Sequence, residues 1–420
     1  MLVINARVGV TPDVRYTVPT AGLYPFQWNW DAGFAALGWA RIDEGRAWDE
    51  LDTLLSTQWP SGKVAHIAFH VPVSTYFPGP EAWGTHQVPP TSGITQPNII
   101  PIVCRHLLSH ATDLAASRAR VRRLLPKLVA WSRWLSVARD PDGSGVPAVL
   151  HPWETGLDNS PAWDASLAAV ATGGLEPYQR RDTAFVDASE RPTADDYDRY
   201  MATLQALRRT GWDDVGCWSA SPFRVVDVGF AALCVRSDLD LAWLAHEVGD
   251  DELAAEAGAR GARGVAGLEG LWDHDANAYR SHDLRAGTTI PIDTVAGFLP
   301  LLCGVAPDRA AASLAHLRSW GDKVDILCPS LDPDHPAFDA RRYWRGPVWI
   351  NVNWLVASAC AVAGDADLVA RMAADTSRLI SNAGLREYYD PRTGEGRGGR
   401  TFTWTASTAI AWSETGLLDA

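Results

Sequence analysis

The sequence predicts an all-α fold, an (α/α)6 barrel in which six helix hairpins close into a ring. Three observations lead there. Stretches with apolar residues at three- and four-residue spacing follow one another, separated by short breakers, and convincing alternating strands are few. No repeat of fixed period is visible, which speaks against an open consensus solenoid. Long irregular stretches at about 60–93, 138–160, 272–290 and 322–347 are uncommon without a function, and a closed ring that gathers them on one side gives a deep pocket. The chain has 420 residues and no Pro/Gly/Ser linker or like-charge run, so 1–420 is expected to form one domain around a large core.

Taken in order, residues 31–43 place Phe34, Ala35, Leu37, Ala40 and Ile42 on a helix, and 47–58 answer with Trp48, Leu51, Leu54 and Leu55 across a turn at Glu44-Gly45. Residues 94–109 and 114–137 form the next pair, the second carrying Leu124, Leu125, Leu128, Trp131 and Leu135. Helices at 195–210, 227–246 and 251–271 follow, each opening on an aspartate that suits a helix N-terminus. Those at 295–303, 309–320, 349–363, 366–382 and 405–413 complete the set.

The composition narrows the function. A net charge of -13, with no basic stripe, argues against a nucleic-acid partner. No apolar run approaches a membrane span and the first residues lack a leader pattern, so a cytoplasmic protein is expected. The six cysteines (Cys104, Cys217, Cys234, Cys303, Cys328, Cys360) are far apart and form no CxxC pair, so they read as buried thiols. Twenty tryptophans are unusual, and many stand beside Asp, Asn, Gly or Pro rather than inside apolar runs, as expected of residues that line a cleft.

The richest stretch is 151–164, HPWETGLDNSPAWD. Pro152 and Gly156 break regular structure there, and Asn159, Ser160 and Pro161 are helix-entry residues, so Asp158 sits at the mouth of a helix between Trp153 and Trp163. A carboxylate among aromatic faces suits a sugar, whose ring stacks while its hydroxyls hydrogen-bond. The competing reading is a plain helix cap. Similar aromatic, acidic, Gly/Pro-rich stretches occur at 24–31, 61–83, 343–353 and 387–404.

The stretches YPFQWNWD, GKVAHIAFH, YFPGPEAWG, TSGITQP, ETGLDNSP, YWRGPVWINVNWL and EYYDPRTGEGRGG, in that order, resemble the bacterial mannosylglycerate and glucosylglycerate hydrolases, relatives of the processing α-glucosidases of glycoside hydrolase family 63. The likeness runs from about residue 16 to 412. It implies an (α/α)6 barrel and inverting hydrolysis of an α-glycosidic bond, with Asp158 as general acid and Glu387 as general base. It also implies a ring whose opening helix is shortened or lost here. Ala162 departs from the pattern, standing where an Arg commonly follows the NSP triplet, which bears on specificity rather than on catalysis.

Inverting chemistry needs a protonated carboxyl on one side of the sugar and an ionised one on the other, roughly 6.5–9.5 Å apart to admit a water. Asp158 is therefore expected to be held protonated by an aromatic setting, and Glu387 to stay ionised beside a cation, Arg386 or Arg345. The competing reading of Glu387 is a solvated acid at a helix end. By the same resemblance Trp30 and Asp31 bind the sugar, Tyr343, Trp344, Trp349 and Trp404 wall the pocket, and Tyr24, Tyr76 and Gln96 contact the acid moiety of a small anionic glycoside. A glycerate carboxylate calls for a guanidinium fork, for which Arg191 is the candidate.

No cofactor and no metal is expected. His66 and His70, with His86 nearby, lie among prolines and glycines and fit no zincin pattern, so His66 reads as a sugar partner. Asp195, Asp196 and Asp198 read as a helix start after Thr193. A sugar 2-epimerase on the same barrel would need paired histidines, and no matching His stands near the C-terminal motifs; a non-catalytic sugar-binding barrel would have one carboxyl displaced from the cleft. The sequence is compatible with a homo-oligomer and leaves glucose against mannose open.

Overall fold

The computed structural model describes residues 1–418. All the expected helices are present, at Asn29–Trp39, Glu44–Ser56, Ile100–Ser109, Leu114–Ala138, Ala194–Arg208, Val228–Glu247, Asp251–Glu269, Pro307–Gly321, Ile350–Val362, Ala366–Ala383 and Thr403–Glu414, with Val295–Cys303 a 3-10 helix. Their burial sorts them into two kinds. Asn29–Trp39 buries every one of its residues and Ile350–Val362 all but its last two, as expected of helices that are apolar all round. Ala366–Ala383 instead buries only a stripe through Leu368, Met372, Asp375, Thr376 and Leu379.

The enclosed segments touch in a cycle. Asn29–Trp39 packs on Ile100–Ser109, which packs on Val228–Glu247, then Val295–Cys303, Ile350–Val362 and Thr403–Glu414, which returns to Asn29–Trp39. Glu44–Ser56, Leu114–Ala138, Asp251–Glu269, Pro307–Gly321 and Ala366–Ala383 each lie outside one of these. Thr403–Glu414 has no long outer helix of its own among the described residues; the single turn Leu2–Asn5, the neighbouring Ala366–Ala383 and the Arg386–Tyr389 strand lie against it. Asn5 fastens that turn, donating from Nδ2 to the Thr401 carbonyl and to Thr403 Oγ1, each at 2.9 Å. One apolar cluster runs from Leu2 to Leu418.

Several local expectations change. The first hairpin turns at residues 40–43 rather than at Glu44-Gly45, which lie inside Glu44–Ser56 because Asp43 caps it, accepting from the Arg46 amide at 3.0 Å. The 94–109 helix starts at Ile100, because Pro97 disfavours helical backbone before it and the Thr95 amide is taken by Glu154 Oε1 at 3.1 Å. Val295–Cys303 winds as a 3-10 helix with Pro300 in its interior, where the missing N–H leaves one hydrogen bond unmade. The all-α expectation also needs amendment, since short antiparallel pairs lie among the loops: Gln27–Trp28 with Ile67–Ala68, and Arg386–Tyr389 with Gly396–Arg400. A further helix, Asp214–Ala220, was not expected; Asp213 caps it, accepting from the Gly216 amide at 2.7 Å. The 272–290 stretch forms two short hairpins, Trp272–Asp273 with Ala278–Tyr279 and His282–Asp283 with Thr288–Thr289, whereas 322–347 remains largely irregular; all six cysteines are buried as free thiols. No helix among the described residues is long and apolar enough to cross a membrane.

Candidate active site

An open cleft of about 940 Å³, mouth included, is lined by residues from five of the aromatic stretches. Asp31 enters it in the first turn of Asn29–Trp39, whose start is pinned by the Gln27–Trp28 pairing and by the Trp30 amide donating to Gln96 Oε1 at 3.3 Å. Asp31 is buried, and its Oδ1 has no hydrogen-bond partner among the described residues. Burial pushes its carboxyl well above the ordinary range, and the Glu387 charge adds to the effect. An orphaned acceptor at a cleft wall is where a ligand hydroxyl can donate.

Asp158 lies on the turn before the one-turn helix Pro161–Trp163. It is not the cap: Ser160 is, accepting from the Ala162 amide at 3.3 Å. Tyr200 Oη holds the Asp158 carbonyl at 2.8 Å, while the carboxyl faces the cleft with no side-chain hydrogen bond. Desolvation raises the Asp158 pKa to about 7, opposed by its own backbone and Arg191. Gly156, two residues earlier, adopts φ +77°, and a Cβ there would come within 2.7 Å of the Trp30 indole. Only glycine lets the acid-bearing loop lie on that ring. Ala162 is buried in this turn, and Arg345 reaches the loop from elsewhere, pairing with Asp164 at 2.6 and 2.9 Å and meeting the Asn159 carbonyl at 3.5 Å.

Glu387 is fully buried on the strand Arg386–Tyr389, not at a helix end. The pairing with Gly396–Arg400 slips between Arg386 and Tyr388, where Gly398 and Gly399 both stand opposite Glu387, so the glycine-rich strand carries the bulge that Glu387 faces. Its Oε1 accepts from Tyr24 Oη at 3.0 Å and its Oε2 from the Gly399 amide at 2.7 Å. At Gly398, φ is +64° and a Cβ would collide with Oε2, so the glycine-rich run leaves room for the carboxylate. Burial raises the Glu387 pKa; Arg191, the Gly399 amide and Tyr24 act against it.

The cation beside Glu387 is Arg191, which corrects the expectation of Arg386 or Arg345. Both of those are held elsewhere: Arg386 Nε donates to the Ala383 carbonyl and Arg345 is taken by Asp164. Arg191 lies over the Tyr343 ring at 4.1 Å, donates to Tyr24 Oη at 3.0 Å, and brings Nη1 within 3.8 Å of Glu387 Oε1. That Nη1 is buried without a hydrogen-bond partner among the described residues. Tyr343 meets the arginine from a backbone at φ +34°, a strained position for a bulky residue.

Of the expected residues, Tyr24, Trp30, Asp31, His66, Tyr76, Gln96, Asp158, Arg191, Tyr343, Trp344 and Trp404 line the cleft. Trp349 does not; it stacks behind Trp344 at 3.7 Å and 6°, supporting the wall rather than forming it. Glu387 stands one layer back too, behind Tyr24 and Arg191. His66 is neutral through burial and bonds Ser92 Oγ at 2.6 Å, whereas His70 bonds Gln27 Oε1 at 2.8 Å outside the cleft and His86 is exposed. His66 is therefore the one histidine at the cleft among the described residues, which does not suit a paired-histidine epimerase.

The sequence left several wall residues unmarked, namely Trp28, Tyr197, Phe402 and, from the 171–193 loop, Asp182 and Phe185. Asp182 is gripped by Arg180 at 2.7 and 3.1 Å and lies 3.5 Å from Arg191 Nε. The aspartates after Thr193 do form a helix start, with Thr193 and Asp196 in a reciprocal capping box. Away from the cleft Asp293, His316 and Asp332 converge, yet Arg280 already takes both oxygens of Asp293 at 2.7 and 3.1 Å.

Residues 24–405 match the mannosylglycerate hydrolase MGH1-like glycoside hydrolase domain. The chain is 48% identical over 402 residues to the mannosylglycerate hydrolase of Thermus thermophilus, covering 95% of this chain and 96% of that one. It is 36% identical over 429 residues to the glucosylglycerate hydrolase of Mycolicibacterium hassiacum, covering 94% of each. Its fold superposes with a TM-score of 0.94 and 47% identity, over 98% of both chains, on a crystal structure of a family 63 mannosylglycerate hydrolase from Thermus thermophilus in complex with Tris and D-glycerate.

Proposed function

The chain belongs to the MGH1-like glycoside hydrolase family and is a glycoside hydrolase, and we propose that it hydrolyses α-mannosylglycerate or α-glucosylglycerate to the free sugar and glycerate with inversion. The observation that carries the mechanism is the contrast between two carboxyls. Asp158 faces the cleft unpartnered with a pKa near 7, so it holds a proton to give; Glu387 is surrounded by donors to its charged form. Asp158 protonates the glycosidic oxygen, and Glu387 takes a proton from the attacking water. Desolvation first, and the Glu387 charge in addition, hold the proton on Asp158.

The sugar lies against Trp30 and Trp404, with Asp31 Oδ1 accepting from a hydroxyl. Arg191 Nη1 receives the glycerate carboxylate, the unused half of a fork already anchored on Tyr24. Tyr76 and Gln96 face the same cleft and contact the acid moiety; the Tyr24 hydroxyl is engaged by Glu387 and Arg191, so its part is to hold them. The cycle of enclosed helices, each backed by an outer one except where Leu2–Asn5 stands, supports a six-hairpin ring with a shortened member. The continuous core supports one catalytic unit.

Arg191→Ala tests the substrate class. KM for a glycosylglycerate is expected to rise about 10- to 100-fold, the loss of one or two charge-assisted hydrogen bonds. For a neutral analogue such as the methyl glycoside, kcat falls because Glu387 loses its cation, but KM stays within about threefold. Equal KM changes on both substrates would reject a carboxylate contact.

A further inference from the structure

Arg191 and Glu387 come from segments far apart in the chain, and their meeting needs something that fixes one segment to the other. Glu190 is placed to do so. It ends the single turn Ala188–Glu190, is buried, and immediately precedes Arg191. Its Oε1 accepts from Arg397 Nη1 at 2.6 Å, and its Oε2 from Tyr388 Oη at 3.3 Å; Arg341 Nη2 stands 3.8 Å away. Arg397 and Tyr388 are directly paired residues on the two strands of the hairpin that carries Glu387. One carboxylate thus grips both strands across the bulge.

We infer that Glu190 is a positioning residue for the reaction, fastening the loop that bears Arg191 to the hairpin that bears Glu387. The inference rests on the assignment of Glu387 as the base. The chemistry follows from the geometry. Glu190 touches neither the cleft nor the Glu387 oxygens, so it acts through its neighbours. Arg397 also gives Nη2 to the exposed Glu395, whereas Glu190 is buried, so removing Arg397 strands the Glu190 charge and removing Glu190 releases Arg397 outward to Glu395; either change loosens the join between the backbones that carry Arg191 and Glu387. Glu190 also sets part of the field at the base: its charge opposes ionisation of Glu387, while Arg397 partly cancels that charge. The other groups facing Glu387 are Arg191, Tyr24, Tyr343, Tyr388, Asp31 and Asp158.

Two variants separate positioning from mere folding support. Glu190→Gln and Arg397→Gln are both expected to lower kcat about 10- to 100-fold, the cost of a small misplacement. Their pH–rate profiles should move in opposite directions. Glu190→Gln removes a like charge and shifts the acid limb of kcat/KM to lower pH; Arg397→Gln exposes Glu387 to an unbalanced Glu190 and shifts it to higher pH. The double variant should return the limb toward that of Glu190→Gln, with kcat no worse than either single change. Variants that lower the melting temperature but leave the acid limb in place, or move it the same way, would overturn the inference. D-glycerate affinity, measured calorimetrically, follows Arg191 without turnover and should weaken in both. Unchanged affinity in a folded variant counts against the tether even if Glu387 variants disprove the assignment of the base; Glu190 and Arg397 variants that behave as wild type, beside an inactive Glu387→Gln, would sink the tether alone.

Discussion

Glu387→Gln should reduce kcat by about 10²- to 10⁴-fold, the range expected for losing a general base, with KM changed far less. The substitution is chosen for its shape. The glutamine oxygen can still accept from the Gly399 amide, and its NH2, in place of the other oxygen, can donate to Tyr24 Oη, so the hairpin stays tied with one bond reversed and the proton-accepting charge is lost. Because burial disfavours the ionised glutamate, the neutral amide should not lower the melting temperature by more than a few degrees. Single-turnover kinetics beside a thermal melt checks both. A variant retaining most of its activity would remove Glu387 from the mechanism.

Asp158→Asn should cost as much activity, about 10²- to 10⁴-fold in kcat, least for substrates with good leaving groups that need no protonation. Its stability effect carries a sign. The carboxyl has an ordinary pKa of 3.8 and reaches about 7 in the folded protein, so the native state holds a proton that the unfolded chain has released across that window. Stability therefore falls as pH rises from about 4 to 7, because the unfolded chain binds fewer protons there. Asparagine lacks this penalty. Melting temperatures of the two proteins at pH 5 and pH 8 should show the variant gaining on the parent at the higher pH. A constant difference would mean that Asp158 titrates normally. Asp31 and Glu387 share the field, so the midpoint belongs to the three carboxyls together.

The acid was legible because its signals are local. Pro152, Gly156, Asn159, Ser160 and Pro161 sit within a few residues of Asp158, and turn and capping preferences act over that distance. What the stretch could not reveal is that Ser160 takes the capping role and leaves the aspartate free. The surroundings of Glu387 were not readable. Arg386 is its neighbour in sequence but donates to the Ala383 carbonyl, and Arg191 arrives from another loop, a meeting that only tertiary packing dictates. Trp344 and Trp349 share a motif, yet stacking makes one a wall and the other its backing. The helices were readable from apolar spacing, whereas their ends were not: Asn29–Trp39 and Glu44–Ser56 each begin and end earlier than the spacing suggests, and Ile100–Ser109 starts only after Pro97.

The most direct test is proton NMR during the first minutes of hydrolysis, with α-mannosylglycerate and α-glucosylglycerate each supplied to the purified enzyme. Asp158 and Glu387 acting from opposite sides of the sugar, with water as the nucleophile, predict that the β-anomer of the free sugar appears first and only later equilibrates. The α-anomer appearing first would contradict that arrangement.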